Sequence, residues 1–491
     1  MKSLDTQSKA AGLIRHSMQR RVSILGLAAV CAVSSAFAQS QPAAVKAQPL
    51  HHNLTPGVAT RVAFKTLPAA VCTLSAQGSN TPQSSLKLYA DEEGSVHFDA
   101  TPPANVSSAD SEKAMAYLEA QCLANGQLMS HSIELQPAVG IPPTISSASR
   151  NAANGTQPGQ TVRPALTGDP LIYSSEELQG RGYPPRPDPV QAPDAYGTWL
   201  KAVSKPSTLI TPKIVTTDRV HGPMKTYVSG GSSAGPGTSN NWSGFVLQPG
   251  PTPYNMVLGG WQVPTVTGDS IVTGYSSLWI GLDGWNCRNC GGGDSSAVAD
   301  VVQDGTEQDV LSVNLPLLGV HWQLASYYAW YEWFTTSTPL EQQIQNFPVY
   351  PGDEIFSIVM VGASASAPAN AYGATGSFFI EDISGGFHVQ PSVSKPSADT
   401  FSGNNAEWIM ERPTESACGT CTPYLPNLAK YGTAVMSGTF AQRQDGALVN
   451  YSAVSNDQLT MDDYPTVPTV PLSKVVPTST SNMQFTWINF H

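Results

Sequence analysis

The chain has 491 residues, enough for two or three domains, with 12 % charged residues and frequent Gly (42) and Pro (40), a balance that favours turn-rich β structure over helical bundles. Its net charge of −11 is uneven: five basic residues against one acidic in 1–38, fourteen of each in 39–235, and six basic against twenty-one acidic in 236–491. The resulting nets of +4, 0 and −15 exclude a nucleic-acid partner, which needs a basic face. Protonating carboxylates would relieve the self-repulsion of the last half, which suits a protein working in acid; a secreted protein kept soluble by charge is the plainer reading.

Taken in order, Arg15, Arg20 and Arg21 precede the apolar run 22–33, and Ala36-Phe37-Ala38 follows it. This pattern predicts a secretory signal over 1–38, cleaved after Ala38, and a secreted or periplasmic protein with no membrane association. The run is too short to span a bilayer. Cys31 leaves with the signal, and an even set of six cysteines remains. Cys72 and Cys122 pair as the two in the N-terminal region. Cys287, Cys290, Cys418 and Cys421 have the look of four zinc ligands, but an oxidising compartment favours disulfides among them in one of three connectivities. No metal or cofactor is expected.

Residues 39–140 read as a small α+β pro- or accessory domain. It has strands near 84–88, 95–99 and 129–134, and a helix over 108–124 opened by Ser-Ser-Ala-Asp and carrying Met115, Leu118 and Cys122 at helical spacing. Residues 141–237 turn to Pro, Gly, Ser and Asn and read as a linker. The run 183–189 is extended, a short helix spans 192–203, and 230–237 is a flexible tract open to proteolytic processing. Gly231-Ser232-Ser233-Ala234-Gly235 has the spacing of a hydrolase nucleophile elbow but lacks the strand before it and the helix after it.

From 238 to 491 short alternating runs recur about every ten residues, at 242–247, 257–263, 275–282, 297–303, 327–334, 354–361, 376–380, 407–410, 434–439 and 484–490. This is the pattern of an all-β, antiparallel sandwich. In the run 401–412, period two puts Asn405, Glu407, Ile409 and Glu411 on one face and Ala406, Trp408, Met410 and Arg412 on the other. A carboxyl group among Trp, Ile and Met has its charged form penalised, and a raised pKa is what a general acid or base needs. No His-Glu-x-x-His and no Asp-Thr-Gly or Asp-Ser-Gly occurs, and the histidines of this half (His321, His388, His491) sit in no nucleophile context. Chemistry here must lean on carboxyls and amides.

The segment Asn405–Ile409 resembles the catalytic-glutamate segment of the glutamic peptidases, or eqolisins. Four further stretches match that family in the same order: 240–244 (Asn-Asn-Trp-Ser-Gly), 279–284 (Trp-Ile-Gly-Leu-Asp-Gly), 302–305 (Val-Gln-Asp-Gly) and 329–333 (Ala-Trp-Tyr-Glu-Trp). The resemblance implies two bent, concanavalin-like antiparallel sheets and hydrolysis of protein or peptide substrates, with Glu407 as general base then acid and Gln303 as oxyanion stabiliser. It also implies that Trp279, Asp283, Trp330 and Glu332 line the substrate cleft. Period two puts Trp279 and Asp283 on one strand face with Gly281 leaving room between them, and turns Tyr331 and Trp333 away from Trp330 and Glu332 towards the core. Phe334 stands where the family commonly has Tyr. A monomer is expected.

Two rivals use the same features. A secreted glycoside hydrolase would make Asp283 or Glu332 as important as Glu407 and leave Gln303 dispensable. A lectin-like sandwich would stack sugars on its tryptophans and turn nothing over.

Overall fold

The computed structural model describes residues 45–46, 50–77, 85–104, 106, 110, 113–138, 161–222, 237–268, 273–285, 300–315, 320–335, 340–362, 375–396, 401–415, 425–463 and 470–490. The four cysteines 287, 290, 418 and 421, the signal segment and most of the tract 230–237 lie outside them.

Each of the ten expected runs of the C-terminal half coincides with a strand among the described residues, although 297–299 lie outside them and the last strand ends at Trp487 instead of 490. One sheet has the order β11 (Asn456–Asp462), β1 (Trp242–Leu247), β9 (Ala406–Glu411), β3 (Gly274–Leu282), β4 (Asp300–Leu315), β5 (Val320–Thr335) and β6 (Gln342–Pro348). A second has β10 (Thr433–Arg443), β2 (Tyr254–Gln262), β7 (Glu354–Val361) and β8 (Thr375–Asp382). Every one of these neighbours is antiparallel. Strands Pro471–Pro477 and Met483–Trp487 join the sheets along one edge, pairing with β11 and β10.

Period-two alternation decides what lies between the sheets. Phe245, Leu278, Ile280, Leu282, Val302, Tyr331, Trp333, Ala406, Trp408 and Met410 face Val257, Trp261, Ile355, Val359, Phe378 and Ile380 in one core. Burying each large apolar side chain contributes roughly 1.5–3 kcal/mol. Tyr331 and Trp333 are core residues, as expected. The alternate residues of the first sheet form its outer, cleft-bearing face.

The described part of 141–237 is not a free linker. It wraps the sandwich as a strap, because extended chain can still pair along sheet edges and bury apolar side chains. Helix α1 (Ser175–Gly180) opens with a Ser174–Glu177 capping box, and α2 (Pro193–Val203) starts on proline. Trp199, Ala195, Ala202 and Val203 of α2 pack on the back sheet against Leu258, Phe356, Ile358 and Phe440. Arg163 and Glu381 form a buried two-point pair at 2.9 and 2.6 Å. The strap then pairs Ser207–Leu209 with Phe387–Val389, Ile214–Thr216 with β6, and Arg219–Val220 with Thr414–Glu415, arriving on the outer face of the first sheet.

In the N-terminal region the Cys72–Cys122 disulfide is present. The helix expected over 108–124 is not: Ala116–Ala124 is a strand between Val71–Ala76 and Gln127–Pro137. Capping chemistry and the spacing of Met115, Leu118 and Cys122 pointed to a helix. The alternation that wins is Ala116, Leu118, Ala120 and Cys122 inward against Tyr117, Gln121 and Leu123 outward. Among the described residues this region is all β. Its strand Ser95–Thr101 extends the first sheet by pairing with β5, and Leu311, Val313, Trp322 and Leu324 share its core. Residues 44–491 accordingly form one compact unit. Among the described residues no helix is long and apolar enough to cross a membrane.

Candidate active site

Strand register assembles the site. Gly281 of β3 lies opposite Glu407 of β9 on one side and Gln303 of β4 on the other, and Gln303 lies opposite Glu332 of β5. Directly opposed residues share a face, so the row Glu407–Gly281–Gln303–Glu332 presents a carboxyl, a gap, a carboxamide and a second carboxyl, at about 4.8 Å per strand. The gap requires glycine: a Cβ at 281 would lie 2.8 Å from the Trp279 ring and 3.2 Å from Gln303 Cβ. Two residues along, the next row holds Ile409, Trp279, Gly305 and Trp330; two further on, Trp242, Glu411, Ser277, Glu307 and Tyr328.

The strap covers these rows. Gln303 Nε2 donates to the His221 carbonyl at 2.6 Å and lies 3.3 Å from Glu332 Oε2, and Asn241 Nδ2 donates to the Gly222 carbonyl at 2.9 Å. His221 stacks on Trp330 with centroids 3.8 Å apart and planes 9° from parallel. Its Nδ1 meets Glu411 Oε2 at 3.0 Å and its Nε2 meets Glu341 Oε2 at 2.7 Å, with Glu307 at 4.0 Å. Arg219 sits over the Tyr275 ring at 3.5 Å, 2.9 Å from Asp309, 3.7 Å from Glu415 and 4.0 Å from Glu307. Gly222 is pressed against Phe334, where a Cβ would come within 2.5 Å of the ring.

Buried charge sets the protonation states. Burial pushes the Glu407 carboxyl well above its usual range, and the charges of Asp283 and Glu411 push it further. Under the strap it therefore holds a proton, and neither of its oxygens has a hydrogen-bond partner among the described residues. Burial raises Glu332 to about 8 against the opposing charge of His221. Burial likewise raises Glu307, with Asp309 adding to it. Burial alone would lower His221, but Glu411 and Glu341 hold it well above an ordinary histidine. It is an imidazolium bonded through both nitrogens.

That state bears on metal binding. Ligand atoms of His221, Glu307 and Glu341 lie within 4.8 Å of one another, close enough to share an ion. A ring protonated at both nitrogens has no lone pair for one, so a metal would first have to break the Glu341 or Glu411 contact.

Of the residues expected in the cleft, Trp279, Trp330 and Glu332 share the face of Glu407 and Gln303. Trp279 donates to Glu411 at 2.8 Å, and Trp330 donates to Ser277 at 3.0 Å. Asp283 departs from expectation. At φ 67° just past β3, it accepts the backbone N–H groups of Ser402, Gly403, Asn404 and Asn405 at 2.6–3.3 Å, and the Ser402 hydroxyl at 3.0 Å. Its oxygens serve the turn that leads into β9 instead of facing a ligand, because backbone amides taken out of water need an acceptor. The glycosidase reading loses Asp283 as an open carboxyl and is left with Glu332 as the partner of Glu407. Sequence reasoning missed Arg219, His221, Glu341, Glu307, Asp309 and Glu415. The one available signal was the pair of cations two residues apart just before the acidic half.

A buried carboxyl and a carboxamide in register on the face of a β-sandwich are the equipment of a carboxyl-dependent hydrolase. Residues 240–487, just over half the chain, match the Peptidase A4 family, and the chain belongs to that family of glutamic peptidases, the eqolisins. Among solved structures it is similar to scytalido-glutamic peptidase with a transition state analog inhibitor, at 19 % identity and TM-score 0.38, covering 51 % of this chain and 98 % of that one. It is similar also to SCP-B, an eqolisin in complex with the tripeptide Ala-Ile-His, at 19 % identity, TM-score 0.36 and the same coverage. No curated protein matches at a significant level. The chain is a glutamic-type peptidase, a hydrolase of proteins or peptides.

Proposed function

We propose that the chain is an exported precursor of an acid-active endopeptidase in which Glu407 and Gln303 carry the reaction. The observation behind this reading is the row in which Gly281 separates Glu407 from Gln303, with the Gln303 amide on the carbonyl of a peptide lying across it. With the strap gone, water enters between them. Glu407 as carboxylate takes a proton from that water as its oxygen attacks the scissile carbonyl carbon, and Gln303 Nε2 donates to the oxygen that gains the charge. The C–N bond then breaks, Glu407 returns the proton to the leaving amine, and an acid and an amine depart. A neutral amide donor keeps this role at any acidity.

Acid activity follows from the bare cleft. Glu307, Asp309, Glu332, Glu341, Glu407, Glu411 and Glu415 would share one buried surface, and protonation removes the repulsion that Arg219 and His221 now offset. Acid thereby loosens the strap, and cleavage in 230–237 would complete activation. Export rests on the signal pattern of 1–38.

The test is digestion of a denatured protein from about pH 2 to 7 by the full chain, by Glu407→Gln and by Gln303→Ala, with sequencing of the N-terminus of the active form. Activity confined to acid and lost in both variants is the expected result. Gln303→Ala at near wild-type rate removes the oxyanion role. A fully active chain still starting at Gln39 ends the precursor reading.

A further inference from the structure

The strap's cations occupy two pockets built by the peptidase half, and its backbone lies along the cleft as a bound peptide would. We infer that the uncovered cleft carries two cation subsites and an apolar one between them, selecting peptides with a basic–apolar–basic triplet that ends at the scissile bond. The inference rests on the reading of Gln303 as the oxyanion donor, because that reading makes the carbonyl it touches, that of His221, the scissile one.

The first subsite is the Trp330 face ringed by Glu307, Glu341 and Glu411; the second is the Tyr275 face ringed by Glu307, Asp309 and Glu415. These groups lie within the family match, so they remain when the strap leaves. Glu307 is the independent sign of an intended ligand. It is fully buried, and neither oxygen receives a hydrogen bond among the described residues, yet both cations stand 4.0 Å from it. Ionising such a carboxyl with no cation beside it is costly. Residues i and i+2 of an extended peptide fall on one side about 7 Å apart, which is the relation of Arg219 to His221. Val220 between them is buried in the apolar cluster of Trp242 and Ile409. Lys87 from the N-terminal region also reaches Glu415, so the second subsite is the weaker one while that region stays docked.

The experiment uses the full chain with Arg219→Ala and His221→Ala, which empties both pockets, and measures binding of a peptide with the sequence of residues 217–222 at pH 5.5. The same peptide with leucine for both basic residues is expected to bind at least about tenfold more weakly. Adding Glu341→Gln and Glu415→Gln should collapse that ratio. Equal binding of the two peptides overturns the inference, whether or not the chain cleaves protein. Charge-selective binding by a chain that cleaves nothing leaves the subsites standing and removes the catalytic reading instead. Should the emptied variant fail to fold, the cut sites made by acid-treated wild-type chain in a denatured protein decide the matter. Arg, Lys or His is expected just before the cut and again two residues earlier, and no enrichment at either position overturns the inference.

Discussion

Gln303 Nε2 and the carbonyl oxygen of His221 are 2.6 Å apart, so the side chain proposed to steady a substrate carbonyl is already occupied by the protein's own backbone. The contact links cover and chemistry: whatever keeps the strap in place keeps the cleft closed.

Gly281→Ala should damage activity more than stability. The added Cβ would meet the Trp279 ring at 2.8 Å and Gln303 Cβ at 3.2 Å, so the carboxamide must shift. Overpacking of this kind costs about 1–3 kcal/mol, while a displacement near 1 Å in a positioned group costs about a hundredfold in rate. Thermal unfolding measured beside peptidase assays separates the two. Wild-type turnover in a folded Gly281→Ala chain would show that the Glu407–Gln303 row is not the working one.

Asp283→Asn should alter the pH profile as well as weaken the fold. Replacing the acceptor of four backbone amides leaves buried donors poorly served and costs roughly 2–3 kcal/mol. Asp283 also adds to the burial that raises Glu407, so losing its charge lets the Glu407 pKa fall. The acid limb of activity should move to lower pH. An unmoved limb, with activity merely reduced, would assign Asp283 to folding alone.

Much of this arrangement was legible in the sequence because β-sheets write their faces as alternation. Ten strands, the Glu407 face and the inward Tyr331 and Trp333 all follow from period two. The strap was not legible, since Arg219 and His221 lie in irregular, Pro-rich chain whose partners are more than 80 residues away; only pairing with Thr414–Glu415 and β6 reveals its path. Asp283 was assigned by motif to the cleft, and nothing in its neighbours announced the turn at 402–405. Residues 116–124 form a strand and not a helix because an alternation that a facing core reads outweighs the local capping signals.

The clamp on the strap should open in acid below about pH 4. Asp218, next to Arg219, is bonded by Lys87 and by Tyr89 Oη at 2.6 Å. Burial would raise its pKa, but Arg219, Lys87 and Tyr89 together hold it below its ordinary 3.8. A carboxyl whose pKa is lower folded than unfolded stabilises above the unfolded value, and that stability is lost as pH falls through the folded one. Limited proteolysis and N-terminal sequencing at steps from pH 6 to 2 should show the strap protected down to about pH 4 and released below it. Asp218→Asn should release it at higher pH, and an unchanged release point would mean that another group sets it.

Global stability should follow the opposite course over most of the range. Glu307, Glu332, Glu407 and Asp304 all have carboxyl pKa values raised by burial, so between the unfolded and folded values the native chain binds more protons than the unfolded one. Stability from these groups is fully present below their unfolded values, 4.5 for Glu and 3.8 for Asp, and falls as pH rises; for Glu332 the fall runs from 4.5 to about 8. His221 acts in the same direction, because its raised pKa stabilises below 6.5 and that contribution is lost on passing the folded value. Thermal unfolding of the Glu407→Gln chain, which removes the expected self-cleavage, should therefore give a higher Tm at pH 4.5 than at pH 8. Replacing Glu332 by Gln in that background should flatten the profile between those two values. A Tm that climbs from pH 4.5 to 8 would mean that these carboxyls are ionised in the native chain, and the closed, proton-holding cleft would have to be abandoned.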